Sequence, residues 1–301
     1  MREEAGTYRA LLVGIVALAV VAAVVLATVG LASQSSPPAT GSGFAPLPHL
    51  AITFAANSSS EVRFLLTSAR PYLEPGDSFD LVSGSPENST LSVSNLQRWS
   101  EELRAAYPWA TISFHTAGVG NLGGVAPAAI GNASGVLYDY EPGFEPEFSF
   151  NFTATLANFE NATAIAHANG VRSIGYPIGR MLLDPALQKY DWNYATLAGT
   201  VDQLIVQTQT YCAQGVPRFA EATGLVLAQF KAANLTSVPT FQVTIGNATT
   251  ALPNGVTAVP AYDCAAQLTG TGLSTLYLWW DIGGESNLLA FLQDIGRGSS
   301  A

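Results

Sequence analysis

The sequence predicts an α/β fold, a (β/α)8 TIM barrel that follows an N-terminal transmembrane helix. Short β-branched or aromatic runs alternate with helical stretches, eight such runs are present, and the region from residue 49 to residue 301 has the size of one barrel. An open doubly wound sheet is the alternative, because periodicity does not show closure. No Gly-x-Gly-x-x-Gly follows the first strand, which argues against a dinucleotide-binding version of that sheet.

The N-terminal residues 10–32 carry no charge and are rich in Val, Leu and Ala, so they are long enough to span a bilayer. A cleaved signal peptide is the alternative, since residues 30–32 offer a small-x-small cleavage site. Arg2 and Arg9 precede the span, and no Lys or Arg follows it until Arg63. The positive-inside rule therefore places the N-terminus in the cytoplasm and the remaining chain outside the cell.

The predicted order along the chain is a cytoplasmic N-terminus at 1–9, the anchor at 10–32, a Pro-, Ser- and Gly-containing linker at 33–48, and an extracellular barrel domain at 49–301. An extracellular glycoprotein also fits seven Asn-x-Ser/Thr acceptors. These are Asn57, Asn88, Asn132, Asn151, Asn161, Asn234 and Asn247. The pattern indicates an archaeal or eukaryotic cell surface.

The strands are predicted at 49–56, 79–83, 111–116, 136–141, 172–177, 202–211, 239–245 and 275–281. Helices are predicted at 59–72, 93–106, 153–168, 194–200, 216–233, 260–268 and 286–295. The link at 121–130 is expected to form at most a short or broken helix, because it contains a Gly pair and Pro127.

The fourth predicted strand ends with two carboxylates, Asp139 and Glu141, before a Pro-Gly break. Residues two apart on a strand point to the same face, so the two acids should lie side by side with Leu137 below them. Tyr138 and Tyr140 should face the other way. Two close carboxylates cannot ionise independently, which suits acid–base chemistry at the C-terminal rim of a barrel.

The other predicted strand ends bring amides, phenols, indoles, an imidazole and a carboxylate to the same mouth. The candidates are His115, Tyr176, Gln207, Gln209, Tyr211, Gln242, Trp279, Trp280 and Asp281. Aromatic faces stack on sugar rings, and the polar groups bind hydroxyls, so we predict a glycan or polysaccharide substrate. In the alternative, the two acids form a solvated strand end or pair with Arg172 or Arg180.

Other chemistries have less support in the sequence. The chain has 12 basic and 22 acidic residues, a net charge of −10, which argues against nucleic-acid binding. The three histidines are widely spaced, so neither a metal site nor a cofactor is expected. A metal held by Asp139, Glu141 and Asp281, as in a phosphodiester hydrolase, is the minor alternative. Outside the cell, Cys212 and Cys264 are expected to form a disulfide.

In these residues the sequence resembles the barrel glycoside hydrolases, in particular the chitinase-like family 18. The fourth strand of that family carries Asp-x-x-Asp-x-Asp-x-Glu. Its Glu protonates the glycosidic oxygen, and the preceding Asp assists the substrate acetamido group, which acts as the nucleophile. Here the motif falls on Ser134, Leu137, Asp139 and Glu141, so the last two acids match and the first two do not.

The resemblance covers residues 49–295 in order of elements. It implies Glu141 as general acid/base, Asp139 as its assistant, an amide and a tyrosine from the sixth strand among Gln207, Gln209 and Tyr211, and a closing Trp279 or Trp280. The loss of acid at Leu137 supports the alternative, a catalytically inactive barrel that binds glycan or serves as a structural surface protein.

Overall fold

The computed structural model describes residues 44–47, 49–82, 92–143, 145, 148–246, 255–280 and 283–298. Within this part of the chain, eight parallel strands pair in chain order, and the eighth pairs with the first. The predicted closed barrel is therefore confirmed. The strands are β1 (Ala51–Ala56), β2 (Ser78–Val82), β3 (Thr111–Ala117), β4 (Gly135–Tyr140), β5 (Arg172–Pro177), β6 (Gln203–Val206), β7 (Thr240–Ile245) and β8 (Thr275–Trp280).

The helices follow the strands and cover the outside of the barrel. They are α1 (Ser59–Leu66), α2 (Val93–Ala106), α3 (Val119–Ala129), α4 (Phe152–Ala168), α5 (Tyr194–Ala198), α6 (Gln209–Ala213), α7 (Val216–Ala232), α8 (Ala258–Gly270) and α9 (Glu285–Asp294). Polar side chains cap the N-termini of several of these helices. Asn151, for example, accepts a hydrogen bond from the backbone N–H of Ala154 at the start of α4.

The core consists of two apolar layers, one on each side of the sheet. The larger layer lies between the strands and the helices and includes Tyr138 and Tyr140. The smaller layer fills the barrel and contains Ala55, Leu137, Ile174, Tyr176, Ile205 and Tyr277. Since both faces of the sheet are covered, the strands are almost wholly buried, which explains their nearly continuous apolar sequences.

Three predicted elements differ from the structure. The first helix ends at Leu66 rather than at residue 72, and a separate 3-10 helix follows at Arg70–Tyr72. The sixth strand ends at Val206, because the Thr208 hydroxyl donates to the backbone oxygen of Gln242 and the chain then turns into α6. The third link forms an 11-residue helix, α3, rather than a broken one. Pro127 lies in its last turn, where the missing N–H costs one hydrogen bond and the helix is already ending.

A buried ion pair joins the C-terminal segment to the bottom of the barrel. Both terminal nitrogens of Arg297 donate to the Asp77 carboxylate, at 2.7 and 2.8 Å, and one also donates to the backbone oxygen of Leu50. Asp77 in turn accepts from the backbone N–H of Ile52 at the start of β1. This pair therefore holds the turn that follows α9 against β1 and the start of β2.

Cys212 of α6 and Cys264 of α8 form a disulfide, with their Cα atoms 6.1 Å apart.

Four of the seven glycosylation acceptors are exposed: Asn57, Asn151, Asn161 and Asn234. Asn132 is partly exposed, and Asn88 and Asn247 lie outside the described residues.

Among the described residues, no helix is both long and apolar enough to cross a bilayer. The anchor predicted at 10–32 lies outside the described residues, as does the linker except for 44–47.

Candidate active site

The barrel interior holds a line of polar side chains that runs from β2 to β6. Asp80 is on β2, His115 on β3, Asp139 on β4, and Gln207 directly follows β6. All four are buried, with at most 5% of each residue exposed. Charged and amide groups are seldom buried unless they are paired, so their hydrogen bonds define the site.

Asp80 and Asp139 are joined by the His115 ring. Nδ1 of His115 lies 2.7 Å from Oδ2 of Asp80, and Nε2 lies 3.3 Å from Oδ2 of Asp139. Gln207 donates from Nε2 to Oδ1 of Asp139 at 2.9 Å and to the backbone oxygen of Tyr176 at 3.1 Å. Both oxygens of Asp139 are therefore occupied, one by His115 of the neighbouring β3 and the other by Gln207, which follows β6 on the far side of β5.

Asp80 accepts two further hydrogen bonds from hydroxyl groups. Tyr277 donates to Oδ2 at 2.6 Å, and Ser113 donates to Oδ1 at 2.7 Å. Burial and the nearby Asp80 carboxylate raise the pKa of the Tyr277 phenol well above its usual value, so this hydroxyl remains a donor. Asp80 is thereby a fully buried carboxylate with three donors around it.

The two carboxylates determine the charge on His115. Burial alone would lower the pKa of its ring, but Asp80 and Asp139 outweigh that effect and raise the pKa to about 10. Burial raises the pKa of Asp139, and the hydrogen bonds from His115 and Gln207 offset part of the rise. His115 is therefore the cation that compensates the buried acids.

Glu141 lies just beyond the end of β4 and is partly exposed at the mouth. Burial and the charge of Asp139 raise the pKa of Glu141 to about 8, although His115 opposes this rise. Among the described residues, no side chain makes a hydrogen bond to its carboxyl. With a pKa in this range, Glu141 is mostly protonated at neutral pH.

The loop that carries Glu141 is fixed by Glu145. The Glu145 carboxylate accepts hydrogen bonds from the Tyr138 hydroxyl and from the backbone N–H of Val119, at the start of α3. Its own backbone N–H donates to the backbone oxygen of Glu141. A carboxylate at a helix N-terminus is favoured by the helix dipole. Glu145 therefore holds the loop after β4 against the start of α3.

Aromatic rings line the interior next to the acids. The His115 ring meets the rings of Tyr176 and Trp279 edge to face, at centroid distances of 5.5 and 5.9 Å. Trp279 is partly exposed, and Tyr176 also packs on Tyr277. Aromatic rings therefore pack directly against the imidazole that joins the two acids.

Of the other predicted site residues, Gln242 also faces this interior. It is buried, its Nε2 donates to the Thr244 hydroxyl at 3.1 Å, and its Oε1 has no hydrogen-bond partner among the described residues. A buried acceptor without a donor favours a ligand that can supply one.

Three predicted residues lie elsewhere. Gln209 and Tyr211 are on α6 rather than on a strand, so the prediction that they share a face with Gln207 is wrong. Trp280 packs against Phe64 between the barrel and the helices, because consecutive strand residues point to opposite faces. Asp281 lies outside the described residues.

In the described part of the chain neither acid pairs with Arg172 or Arg180, so that alternative is wrong. Arg172 lies beside Gly135, at the other end of β4 from the two acids. Arg180 lies 3.7 Å from Asp184, and the partners of Asp139 are His115 and Gln207. In the described ranges, no three His, Cys, Asp or Glu side chains form a group suited to a metal ion.

Sequence reasoning missed Asp80, Ser113 and Tyr277. A usable signal was present for two of them, since Asp80 is the one charged residue in the run Ser78–Val82 and Tyr277 is two residues before Trp279 on the same face. The sequence does not give the register between neighbouring strands, so it does not show which of these single polar residues contact each other.

Comparisons with known proteins show a similarity of fold to solved structures. No protein-family model matches the chain, and no curated protein matches it by sequence. The barrel resembles solved structures of family 18 chitinases and another glycoside hydrolase. A family 18 chitinase from Crocus vernus has a TM-score of 0.51 and 14% identity, covering 80% of this chain and 95% of that one.

A chitinase from Chromobacterium violaceum has a TM-score of 0.53 and 13% identity over 84% of this chain and 99% of its own. The PgaB (BpsB) glycoside hydrolase domain from Bordetella bronchiseptica has a TM-score of 0.52 and 8% identity over 77% and 94%. The fold is thus glycoside hydrolase-like, and at such identities the likeness concerns the fold alone.

Proposed function

We propose that this protein is a glycoside hydrolase that cleaves a glycan, with Glu141 as general acid/base and Asp139 as its assistant. One observation carries the proposal. Glu141 lies partly exposed at the C-terminal mouth of a closed barrel, above a buried Asp139, and its pKa is raised to about 8. A carboxylic acid kept protonated at neutral pH is the group that must protonate a glycosidic oxygen.

The proposed reaction uses Glu141 twice, first as an acid and then as a base. Glu141 gives its proton to the glycosidic oxygen, and the bond from that oxygen to the anomeric carbon breaks, its electron pair staying on the oxygen. The carbonyl oxygen of a 2-acetamido group on the sugar bonds to the anomeric carbon. Water then adds to that carbon while its bond to the acetamido oxygen breaks, the electron pair returns to the acetamido group, and the water gives a proton to the Glu141 carboxylate. The Asp139 charge stabilises the cationic acetamido intermediate.

The substrate would be a glycan that contains N-acetylhexosamine, like the chitin implied by the chitinases of similar fold. The Trp279 ring offers a platform for a sugar face, and Gln242 offers a buried acceptor for a hydroxyl or an acetamido N–H. Gln207 binds Asp139 and lines the same interior.

We further propose that the barrel is extracellular and anchored in the cell membrane through residues 10–32. The Cys212–Cys264 disulfide supports an oxidising compartment. Exposed acceptors such as Asn151 and Asn161 are accessible to glycosylation. Protease digestion of intact cells tests this location, because an extracellular barrel is cut while a cytoplasmic one is protected.

The enzymatic proposal is tested with Glu141→Gln, which keeps the size of the side chain and removes its acidity. Hydrolysis of fluorescently labelled chitooligosaccharides should fall about 10²- to 10⁴-fold. Glu160→Gln, on the exposed face of α4, is the matched control and should retain full activity. Full activity in Glu141→Gln would refute the proposal.

The alternative is a barrel that binds glycan without cleaving it. Leu137 favours this alternative, since it places an apolar side chain beside Asp139 where the family has an acid. Saturable binding of the same oligosaccharides without turnover, in wild type and in Glu141→Gln alike, would support it.

A further inference from the structure

The proposed mechanism uses Glu141 and Asp139 and gives no role to the buried residues Asp80 and His115. Both are buried, and neither would contact the reacting oxygen, since Asp139 lies between His115 and the end of β4. We propose that Asp80 and His115 form a proton-holding pair that fixes the Asp139 carboxylate, and that both are positioning residues for the candidate site.

The hydrogen-bond geometry requires a shared proton. Both oxygens of Asp80 accept hydrogen bonds, Oδ2 from Tyr277 and Oδ1 from Ser113, so Nδ1 of His115 must bring its own hydrogen to Asp80. Nε2 of the same ring then faces an oxygen of Asp139 at 3.3 Å. A bare ring nitrogen and an ionised carboxylate would repel each other, so a second proton must lie between them.

The surroundings of His115 keep that proton in place. The titratable groups around the ring inside the barrel are Asp80 of β2, Asp139 of β4, Glu141 just after β4, Tyr176 of β5 and Tyr277 of β8. Two of these groups are carboxylates in direct contact, and none is basic. The rings of Tyr176 and Trp279 cover the remaining sides of the imidazole.

The pair determines where Asp139 points. His115 holds one of its oxygens and Gln207 holds the other, so the carboxylate is turned into the barrel and makes no hydrogen bond to Glu141. Its charge nevertheless acts on Glu141 and helps to keep that acid protonated. Loss of the His115 proton would remove one of the two donors that hold Asp139.

The test is a pH titration of the histidine rings in the folded chain. The protein is labelled with ¹⁵N-histidine, and NMR reports the protonation of each ring nitrogen. His115→Gln assigns the His115 signals. In wild type, both His115 nitrogens should remain protonated up to about pH 9, in line with a pKa of about 10. Asp80→Asn should lower the His115 midpoint by about 1–3 pH units.

The matched control is a second histidine–aspartate pair on the surface. His167 lies 2.8 Å from Asp202, and both side chains are exposed. Asp202→Asn should alter the His167 signals and leave those of His115 unchanged. Tyr277→Phe, which removes one donor from Asp80 but no charge, provides a milder second variant if Asp80→Asn fails to fold.

Titration of wild-type His115 within about one unit of 6.5 would overturn the proposal, as would a folded Asp80→Asn with an unchanged midpoint. The role of the pair in catalysis rests on the proposed function. The NMR titration tests the pair, whereas the hydrolysis assay tests the proposed function. If the NMR titrations follow expectation but no glycan is cleaved, the pair stands and the hydrolase assignment fails.

Discussion

Asp80 and Asp139 bind opposite nitrogens of the His115 ring, so one imidazole links two buried carboxylates from β2 and β4. The ring is 3% exposed, and Asp80 is fully buried. Isolated charges at such depth would be strongly unfavourable, whereas a cation between two anions is compensated. The same linkage leaves Glu141 as the one acid of this group that reaches the mouth and has no side-chain partner among the described residues.

The pH dependence of hydrolysis should reveal Glu141. The general acid is active when protonated, and its pKa is raised to about 8, so kcat/KM should fall as the pH rises through 8. The measurement is a profile of kcat/KM from pH 5 to pH 10 on a labelled oligosaccharide. A profile that stays flat from pH 6 to pH 10 would contradict the assignment of Glu141.

The stability of the fold should also fall with rising pH. The folded-state pKa of His115 is about 10 and its ordinary value is 6.5, so between these values the folded chain binds more protons than the unfolded chain. The stabilisation is complete below pH 6.5 and is lost as the pH rises through 10. Glu141 acts in the same direction between 4.5 and about 8.

Thermal unfolding from pH 6 to pH 10 checks this sign. The midpoint should decrease across the range in wild type and decrease less in His115→Gln, which cannot take up the proton. An increase in the wild-type midpoint would contradict a raised pKa for His115, because the folded chain would then bind fewer protons than the unfolded chain over this range.

The barrel was predictable because eight β-rich runs alternating with helical stretches leave few architectures. Asp139 and Glu141 were predictable because residues two apart on a strand share a face, and both lie at the rim. Asp80 could not be connected to them from the sequence, since its contact with His115 depends on the register between β2 and β3. The sixth strand was predicted too long because the alternation in residues 207–211 resembles a strand although it continues into α6.

A close backbone contact makes Gly179 important for the site. A Cβ atom at this position would lie 2.0 Å from the backbone oxygen of Gln207, whose side chain holds Asp139. Gly179→Ala must shift one of the two segments, so we expect about 1–3 kcal/mol of destabilisation and reduced hydrolysis. Gly224→Ala in α7 is the control, because nothing lies within 4 Å of the added atom. Its unfolding free energy should rise by about 0.4–1 kcal/mol. Equal stability of both variants would contradict this reasoning.

The buried pair of Arg297 and Asp77 should contribute more to stability than exposed ion pairs do. Arg297→Met leaves the Asp77 carboxylate buried without its cation, which costs about 3–5 kcal/mol in the free energy of unfolding. Arg218→Met removes an exposed partner of Glu221 and should cost less than about 1 kcal/mol. Urea denaturation of both variants measures the difference.

The double variant Arg297→Met with Asp77→Asn separates the loss of the ion pair from the cost of an uncompensated charge. Removing the stranded charge should recover part of the stability lost in Arg297→Met, because an amide is cheaper to bury than a carboxylate. The recovery should remain incomplete, since Arg297 also donates to the backbone oxygens of Leu50 and Tyr72. If the double variant were less stable than Arg297→Met alone, Asp77 would be acting chiefly through its bond to the Ile52 N–H, and the C-terminal clamp would matter less than the capping of β1.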